Sequence, residues 1–474
     1  MKRKRVNRCP SWDEHWGCAI SPVKRCLGCP SADWHTESVG KSDKGTTAES
    51  RDEKTKNNQS NKQNNMEQLK IFARTVEDSA KAQIERMATS EAYGDCTVRI
   101  MPDCHAGDGC TIGTVIALKD RIVPNTVGVD IGCGMLVVHL GKGDIDLQQL
   151  DRVVNNEIPS GFNIHEKPVE EALLINRLHC REAIDNDMAQ RSIGSLGGGN
   201  HFIEVDEGSD GEKYLVIHSG SRNLGKRVCE YWQKRAEDYC SRLGYDEQAI
   251  IARLKAEGRQ REISATIREA KEQAPKIDKE LAFIDGEDAE KYLFDMRLCQ
   301  IYAHRNRIAM ARIVCKGMMD WVLQNFANFT TIHNYIDIQH RILRKGAVRA
   351  LNGERLIIPM NMRDGSLLCE GRGNIAWLYS APHGAGRLMS RRQALDTLSM
   401  KEFEQQMSGI YSTSVCPETI DESPMVYKPM QEIIDSIKET VRIVDIIKPI
   451  YNFKAKTPEK PDWKANKHKL IKED

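Results

Sequence analysis

Nowhere in this 474-residue chain does an apolar run approach the roughly 18 to 20 residues that a helix needs to cross a bilayer, so nothing argues for membrane insertion. An apolar leader is missing as well. The 15 cysteines are scattered through a large chain rather than packed into a short one, which excludes a secreted disulfide scaffold and points to a reducing compartment. A soluble cytoplasmic protein is expected. Neither sign of charge is in excess: 69 Lys and Arg stand against 68 Asp and Glu, so bulk charge singles out no polyanion partner and any nucleic-acid surface must be a local patch. Two stretches qualify, His340-Arg341 through Arg344-Lys345 to Arg349, and Arg387 with Arg391-Arg392, although charge runs are more often solvated faces. No internal repeat is evident. The run Gly197-Gly198-Gly199 is not followed by the Gly-Lys-Ser/Thr of a Walker loop, nor does it spell a dinucleotide fingerprint.

What is present divides the chain unevenly. Residues 1–65 are dominated over Lys41 to Asn65 by Asn, Gln, Ser, Lys and Thr, a composition that cannot bury a core and predicts disorder. Cys9, Cys18, Cys26 and Cys29, with His15 and His35, leave two readings for the start of that segment. Cys26-x-x-Cys29 has zinc-ligand spacing, but Cys9 and Cys18 are too far apart for a usual second pair, so an unstructured extension competes with a zinc knuckle. Met66 opens the first periodic segment and is an alternative start. Leu69, Phe72, Ala73, Val76, Ala80, Ile84 and Met87 recur every three or four residues and predict one helical face.

Short β-rich runs follow at Cys96 to Met101, Cys110 to Leu118 and Met135 to Leu140. A helix is predicted over Val169 to Asp187, then strands at His201 to Val205 and Tyr214 to His218. Glu230 to Phe326 reads as helical, with the charged stretch Ile251 to Lys271 as a solvated projecting hairpin. Strands return at Thr330 to Ile338 and Arg355 to Met360, and a helix near Met430 to Ile443 leads into a basic, poorly ordered tail. The fold class is α+β: one large catalytic domain over residues 66–455 with mixed β-sheets and a helical insertion, between the 1–65 extension and a 456–474 tail.

Five short glycine-flanked segments carry the chemistry. Ala381-Pro382-His383-Gly384-Ala385-Gly386-Arg387 sets a histidine beside small residues and an arginine, as covalent nucleotide chemistry needs. Val129-Asp130-Ile131-Gly132-Cys133-Gly134-Met135, Gly197 through Glu204, Ile217-His218-Ser219-Gly220-Ser221-Arg222 and Ile332-His333-Asn334 each offer metal- or phosphate-binding groups. A lone buried histidine is usually a satisfied core residue. Three beside glycines, together with Asp-x-x-Cys, are hard to read that way.

In this order the five motifs resemble the RtcB-type RNA ligases, from about Met66 to about Lys454. The resemblance implies an enzyme that joins an RNA 3′-phosphate or 2′,3′-cyclic phosphate to a 5′-hydroxyl, using GTP and two manganese ions through a histidine-guanylate intermediate. Asp130, Cys133, His201, His218 and His333 match the family's metal ligands, Cys133 bridging, with Asp130 and His201 completing one site and His218 and His333 the other. Thiolate and imidazole would by softness suit zinc, so manganese is implied by the resemblance and not by the donors. His383 matches the guanylated residue. Around GTP the family places Asn200, His201, Phe202, Ile203, Glu204, His333, Asn334, Pro359, Met360, Asn361, Met362, Ser366, His383, Gly384, Ala385, Gly386 and Lys454. Pro359-Met360-Asn361-Met362 departs from the commoner Pro-Gly-Ser-Met, which leaves the phosphate contacts there open.

Lys454 on guanine O6 and N7 and Glu204 on N1 and N2 would suit guanine and oppose adenine. Asp103 and His105, in the Pro-Asp-x-His that the family shares, are not among its metal ligands and read as supporting or RNA-facing. Two rival readings stand beside the ligase: a dinuclear metallophosphodiesterase or nuclease, which needs the five donors but neither His383 nor Lys454, and an inactive RNA-binding protein, which would have lost ligands. None is missing. RNA and GTP are the expected partners, and the sequence names no activating protein. Because every motif lies beyond residue 65, a chain starting at Met66 should keep full activity; an inactive but folded chain of that length would place the N-terminal cysteines in the enzyme.

Overall fold

Most of the described strands gather into one large antiparallel sheet and one smaller mixed sheet, and Ala347–Arg349 pairs with Ser380–Pro382 apart from both. The computed structural model describes residues 68–456 apart from 108, 319 and 320, and separately a short antiparallel pair, Trp12–Asp13 with Gly17–Cys18. The zinc reading at Cys9, Cys26 and Cys29, the side chain of Cys18, the remaining extension and the tail beyond residue 456 lie outside the described residues.

The large sheet has seven strands in the order Arg355–Asn361, Gly365–Gly371, Val441–Lys454, Phe202–Glu207, Lys213–Ser219, Gly134–Gly141 and Asn328–Ile332. All neighbours are antiparallel. Period-two alternation explains why it is covered on both sides. Leu136 and Val138 point into one core with Ile203, Val205, Leu215 and Ile217, while Met135 and Val137 point into another with Phe202, Val216, Ile357 and Ile447. The first face is closed by the 32-residue helix Gly286–Gly317 through Met310, Ala311 and Val314. Glu287 and Asp288 in its first turn and Lys316 in its last complement the helix dipole. The five-stranded sheet runs Asn334–Asp337, Ile342–Lys345, Ile112–Ala117, Thr97–His105 and Leu69–Ile71, with only the last pair parallel. The α+β class with mixed sheets is therefore what the chain adopts.

Three local expectations are corrected. The helical face predicted from Leu69 begins only at Asp78, because Leu69–Ile71 is drawn out as an edge strand beside Val98–Ile100. The helix predicted over Val169 to Asp187 is instead two short 3₁₀ turns, Leu173–Arg177 and Arg181–Ala183. Between them the buried Asp295 carboxylate accepts the His179 and Cys180 amides at 2.8 and 3.2 Å, so those N–H groups are not available to a helical ladder. At the other end, the helix from Met430 stops at Ile437, and Val441–Lys454 is a 14-residue strand, not a tail. Its Val and Ile content favours a pleated surface. The strand changes partner midway, pairing first with Gly365–Gly371 and then with Phe202–Glu207, and its register slips at Pro449, where a residue without an N–H is tolerated. The charged stretch after Gly244 forms two helices, Glu247–Ala256 and Ile263–Gln273, in which Leu254 alone is buried, as expected of a solvated hairpin.

Val441, Ile447, Tyr451 and Phe453 of the long strand are buried, each worth roughly 1.5–3 kcal/mol, a sum comparable with a whole domain's net stability of about 5–15 kcal/mol. A chain ending at Thr440 should therefore fail to fold, seen as loss of the cooperative thermal transition in circular dichroism.

Candidate metal centre and nucleotide cavity

Sheet register alone brings the candidate donors together. Gly134 lies between Ser219 on one neighbouring strand and Ile332 on the other, and Phe202 lies opposite His218. Cys133, His201, His218 and His333 therefore meet at one end of three adjacent strands and the one beyond. The His333 amide donates to the Cys133 carbonyl at 2.9 Å, fixing the two loops to each other. Asp130 enters from the preceding turn, with the Ser221 amide donating to its Oδ1 at 3.1 Å. Gly220 makes room, since a Cβ there would stand 1.9 Å from that same oxygen.

Two donor groups result, Asp130 with Cys133 and His201, and Cys133 with His218 and His333, sharing the thiol. The sulfur lies 3.3 Å from His201 Nε2 and 3.2 Å from His218 Nε2; His201 Nε2 is 3.0 Å from Asp130 Oδ2, and the His218 and His333 Nε2 atoms are 3.4 Å apart. Nδ1 of His201 and of His218 faces a backbone carbonyl, of Leu196 at 2.8 Å and of Asn200 at 3.2 Å. Each Nδ1 thus keeps its proton, and Nε2 presents a lone pair. Lone pairs this close repel one another, and a pair of cations is what the arrangement suits.

The protein's own field prepares the donors. Burial first, and neighbouring imidazoles second, hold His218 well below the ordinary histidine value, and the same two causes act on His333. Burial works to raise Asp130, but its hydrogen bond to His201 and the facing charge outweigh this and hold the carboxyl low. Burial and the Asp130 charge push the Cys133 thiol well above its usual value, partly offset by Arg307. Arg307 was not legible as part of the site. It projects from the long helix, fully buried, and donates from Nη1 to the carbonyls of Gly132 at 3.1 Å and Ser219 at 2.7 Å, bracing both donor loops. An arginine on the helix face that also carries Ala303, Met310, Ala311 and Val314 is the signal that could have found it.

Beside the donors opens a cavity of about 800 Å³. Of the residues expected around a nucleotide, its wall contains Asn200, Phe202, Glu204, His333, Asn334, Pro359 through Met362, His383 through Gly386, and Lys454. Three are not in that wall. Ile203, by strand alternation, points into the core, and Ser366 is fully buried behind its partner Pro359; His201 stands back among the metal donors.

His383 is held from 280 residues away. Its Nδ1 lies 2.7 Å from Asp103 Oδ2, which also accepts the His383 and Gly384 amides at 3.1 and 3.3 Å. Asp103 is wholly buried, so this carboxylate fixes the Nδ1–H tautomer and leaves Nε2 as the free nitrogen, with the ring 4.7 Å from that of His333. Gly386, at φ +77°, is required here: a Cβ would fall 2.2 Å from the Asp103 carbonyl.

Lys454 ends the long strand. Its ammonium lies 2.8 Å from Glu422 Oε2 and 3.4 Å from the Asn200 carbonyl, over the Phe202 ring. Glu422, which nothing in the sequence marked, also pairs with Arg387 at 3.2 Å and Arg391 at 2.6 Å. Burial would raise its pKa, but these three cations bring it to about 2. Arg387, expected to face phosphate, is thus largely engaged within the wall. Glu204 accepts from Asn452, and burial, opposed by the Lys454 charge, moves it up to about 7. The other basic stretch is corrected: Arg344 and Lys345 are buried, Arg344 against Ser380 and Asp337, and Arg349 pairs with Glu354.

Comparison with known proteins gives a consistent result. The profile of the family described as tRNA-splicing ligase RtcB matches residues 83–183 and 176–455. The chain is 29% identical over 391 residues to the RNA-splicing ligase RtcB of Escherichia coli K12, covering 74% of this chain and 88% of that one. It is 28% identical over 427 residues to the tRNA-splicing ligase RtcB of Methanococcus maripaludis, covering 71% and 82%, and 25% identical over 446 residues to the RNA-splicing ligase RtcB homolog 1 of Entamoeba histolytica, covering 74% and 79%.

A cation entering the shared position must displace the Cys133 proton, whereas His218 and His333, with their lowered values, are already neutral near pH 7. Manganese affinity measured by calorimetry should then rise by about tenfold per pH unit between roughly pH 6 and 8. Cys133→Ala should lose both the slope and the second equivalent of metal; two tightly held ions in that variant would make Cys133 merely structural.

Proposed function

The chain belongs to the tRNA-splicing ligase RtcB family, and from that premise we propose that it is a GTP- and manganese-dependent RNA ligase, joining 3′-phosphate or 2′,3′-cyclic phosphate ends to 5′-hydroxyl ends in tRNA splicing or RNA repair. The observation that carries this reading is the buried Asp103–His383 pair, which presents a free imidazole nitrogen to a cavity bordered by five metal-type donors. A metallophosphodiesterase would use the donors but has no role for that pair.

In the reaction proposed, His383 Nε2 attacks the α-phosphorus of GTP, a P–N bond forms and pyrophosphate leaves. The ring then carries positive charge, and Asp103 on Nδ1 is placed to stabilise it. An RNA 3′-phosphate oxygen next takes the guanylyl group from His383, returning the imidazole to neutrality. Finally the 5′-hydroxyl oxygen bonds to the 3′-phosphorus and GMP departs. A cyclic end must first be opened by water. Two divalent cations, held by Asp130, Cys133 and His201 and by Cys133, His218 and His333, would neutralise phosphate oxygens. Glu204 and Lys454 on one cavity wall offer an acceptor and a donor in the sense that guanine requires. A site built on such hydrogen bonds rejects adenine because buried groups left unpaired cost on the order of 1–3 kcal/mol each.

Incubation with α-labelled GTP and manganese should leave covalent label on denatured protein. His383→Ala should lose the label and keep its metals, and Asp103→Asn should slow labelling by on the order of 10²- to 10⁴-fold. Label persisting on His383→Ala would remove that residue as the nucleophile, and none on the intact protein would favour the phosphodiesterase.

A further inference from the structure

We propose that the turn carrying Phe162 is a base-stacking subsite for the single-stranded RNA that flanks the end being joined; this rests on the ligase reading. Phe162 is 88% exposed, the most exposed large apolar side chain among the described residues. It is nevertheless held on a well-anchored turn. The Asn163 amide donates to the Ser160 carbonyl at 3.1 Å, and Gly161, at φ +64°, supplies the left-handed residue. The base of the turn is tied to the loop that leads to the site: the Gly161 amide donates to the Gly197 carbonyl at 2.8 Å, and the Arg222 Nη2 donates to the Gly161 carbonyl at 2.8 Å while its Nε donates to Ser195 Oγ at 3.0 Å. That same loop supplies Asn200 to the nucleotide cavity and His201 to the donors.

Around the turn lies a second cavity of about 630 Å³ whose wall includes Arg152, Asn155, Asn156, Asn163, Thr413 and Lys456. Phe453 lines it and Lys454 the first, from opposite faces of one strand, and the two walls are linked through the 197–200 loop, which bonds Gly161 of the second wall and supplies Asn200 to the first. The one acid in this wall, Asp151, is buried and engaged by Thr413 at 2.8 Å and Tyr451 at 3.2 Å, which leaves amides, hydroxyls and the cations Arg152 and Lys456, Arg152 also donating to Gln149 and Asn155 to the Asp151 carbonyl.

An aromatic plane, amides able to meet base edges and cations for phosphate are the combination that unpaired RNA uses. A protein partner would call for apolar neighbours around the anchor, and here, Phe453 and Gly161 aside, they are polar. The position also fits, because the turn is hydrogen-bonded to the loop that supplies Asn200 to the first cavity.

The test uses the full chain and two measurements. In guanylation with labelled GTP and no RNA, Phe162→Ala should match the parent protein. In ligation, its KM for RNA should rise about 5- to 150-fold with kcat little changed, the range that loss of one stacked base gives, and anisotropy of a short fluorescent single-stranded RNA should show the same weakening. Phe162→Trp should restore affinity and Phe162→Leu should not. Unchanged KM and RNA affinity in Phe162→Ala would overturn the subsite and leave Phe162 to a protein contact, and rescue by Leu equal to that by Trp would overturn stacking. Absence of guanylation in the parent protein would count against the ligase reading, and the RNA-binding comparison would still decide the subsite.

Discussion

Imidazole lone pairs and a carboxylate gathered around one buried thiol are mutually repulsive, and holding them there is the constraint that organises the rest of the molecule. No single loop could do so, because each donor loop on its own would relax away from the others. The sheet supplies the force. Backbone ladders fix the relative height of Gly134, Phe202, Ser219 and Ile332, so the residues at their ends have no freedom to separate. The long helix adds the second restraint. Arg307 ties two of the loops through their carbonyls, and Asn306, one residue earlier, accepts from the Gly194 amide and donates to the Gly220 carbonyl. A buried cation beside a cluster of donors offsets part of the repulsion among them, at the cost of its own desolvation.

The cavity beside the donors is held by the opposite device. There Glu422 gathers Lys454, Arg387 and Arg391, with Asp421 as a second anion on Arg391, so three cations line one wall without repelling the segment apart. Asp206 is the exception. It lies on the same face of its strand as Glu204, its oxygens have no hydrogen-bond partner among the described residues, and burial together with the Glu204 charge pushes its carboxyl well up.

How much of this was legible follows physical lines. The donors could be read because a metal needs a few residue types and close backbone approach needs glycine, and both leave marks within a handful of positions. Several strands of the central sheet could be read from short β-rich runs, whereas Gly365–Gly371 and Val441–Lys454 were not. What escaped were features that depend on partners far along the chain: Asp103 holding His383, Glu422 holding Lys454, Arg307 behind Cys133. Nothing near Glu422 distinguishes it from any other glutamate. The strand Val441–Lys454 escaped because its turns of apolar and polar residues follow a bend and a register slip at Pro449, which blur the period of two. Leu69–Ile71 was misread because three residues are too few to show any period.

The position of that strand in the chain has a consequence for how the protein is made. Among the described residues it is the last element to be synthesised, yet it lies inside the sheet, between strands that precede it by about 70 and 240 residues. Until it arrives, Gly365–Gly371 and Phe202–Glu207 each present an unpaired edge, the kind of surface on which nascent chains misassociate. Sequence separations of this size also make folding slow. The sheet therefore cannot close until this strand has been made, and the two earlier strands wait with open edges in the meantime.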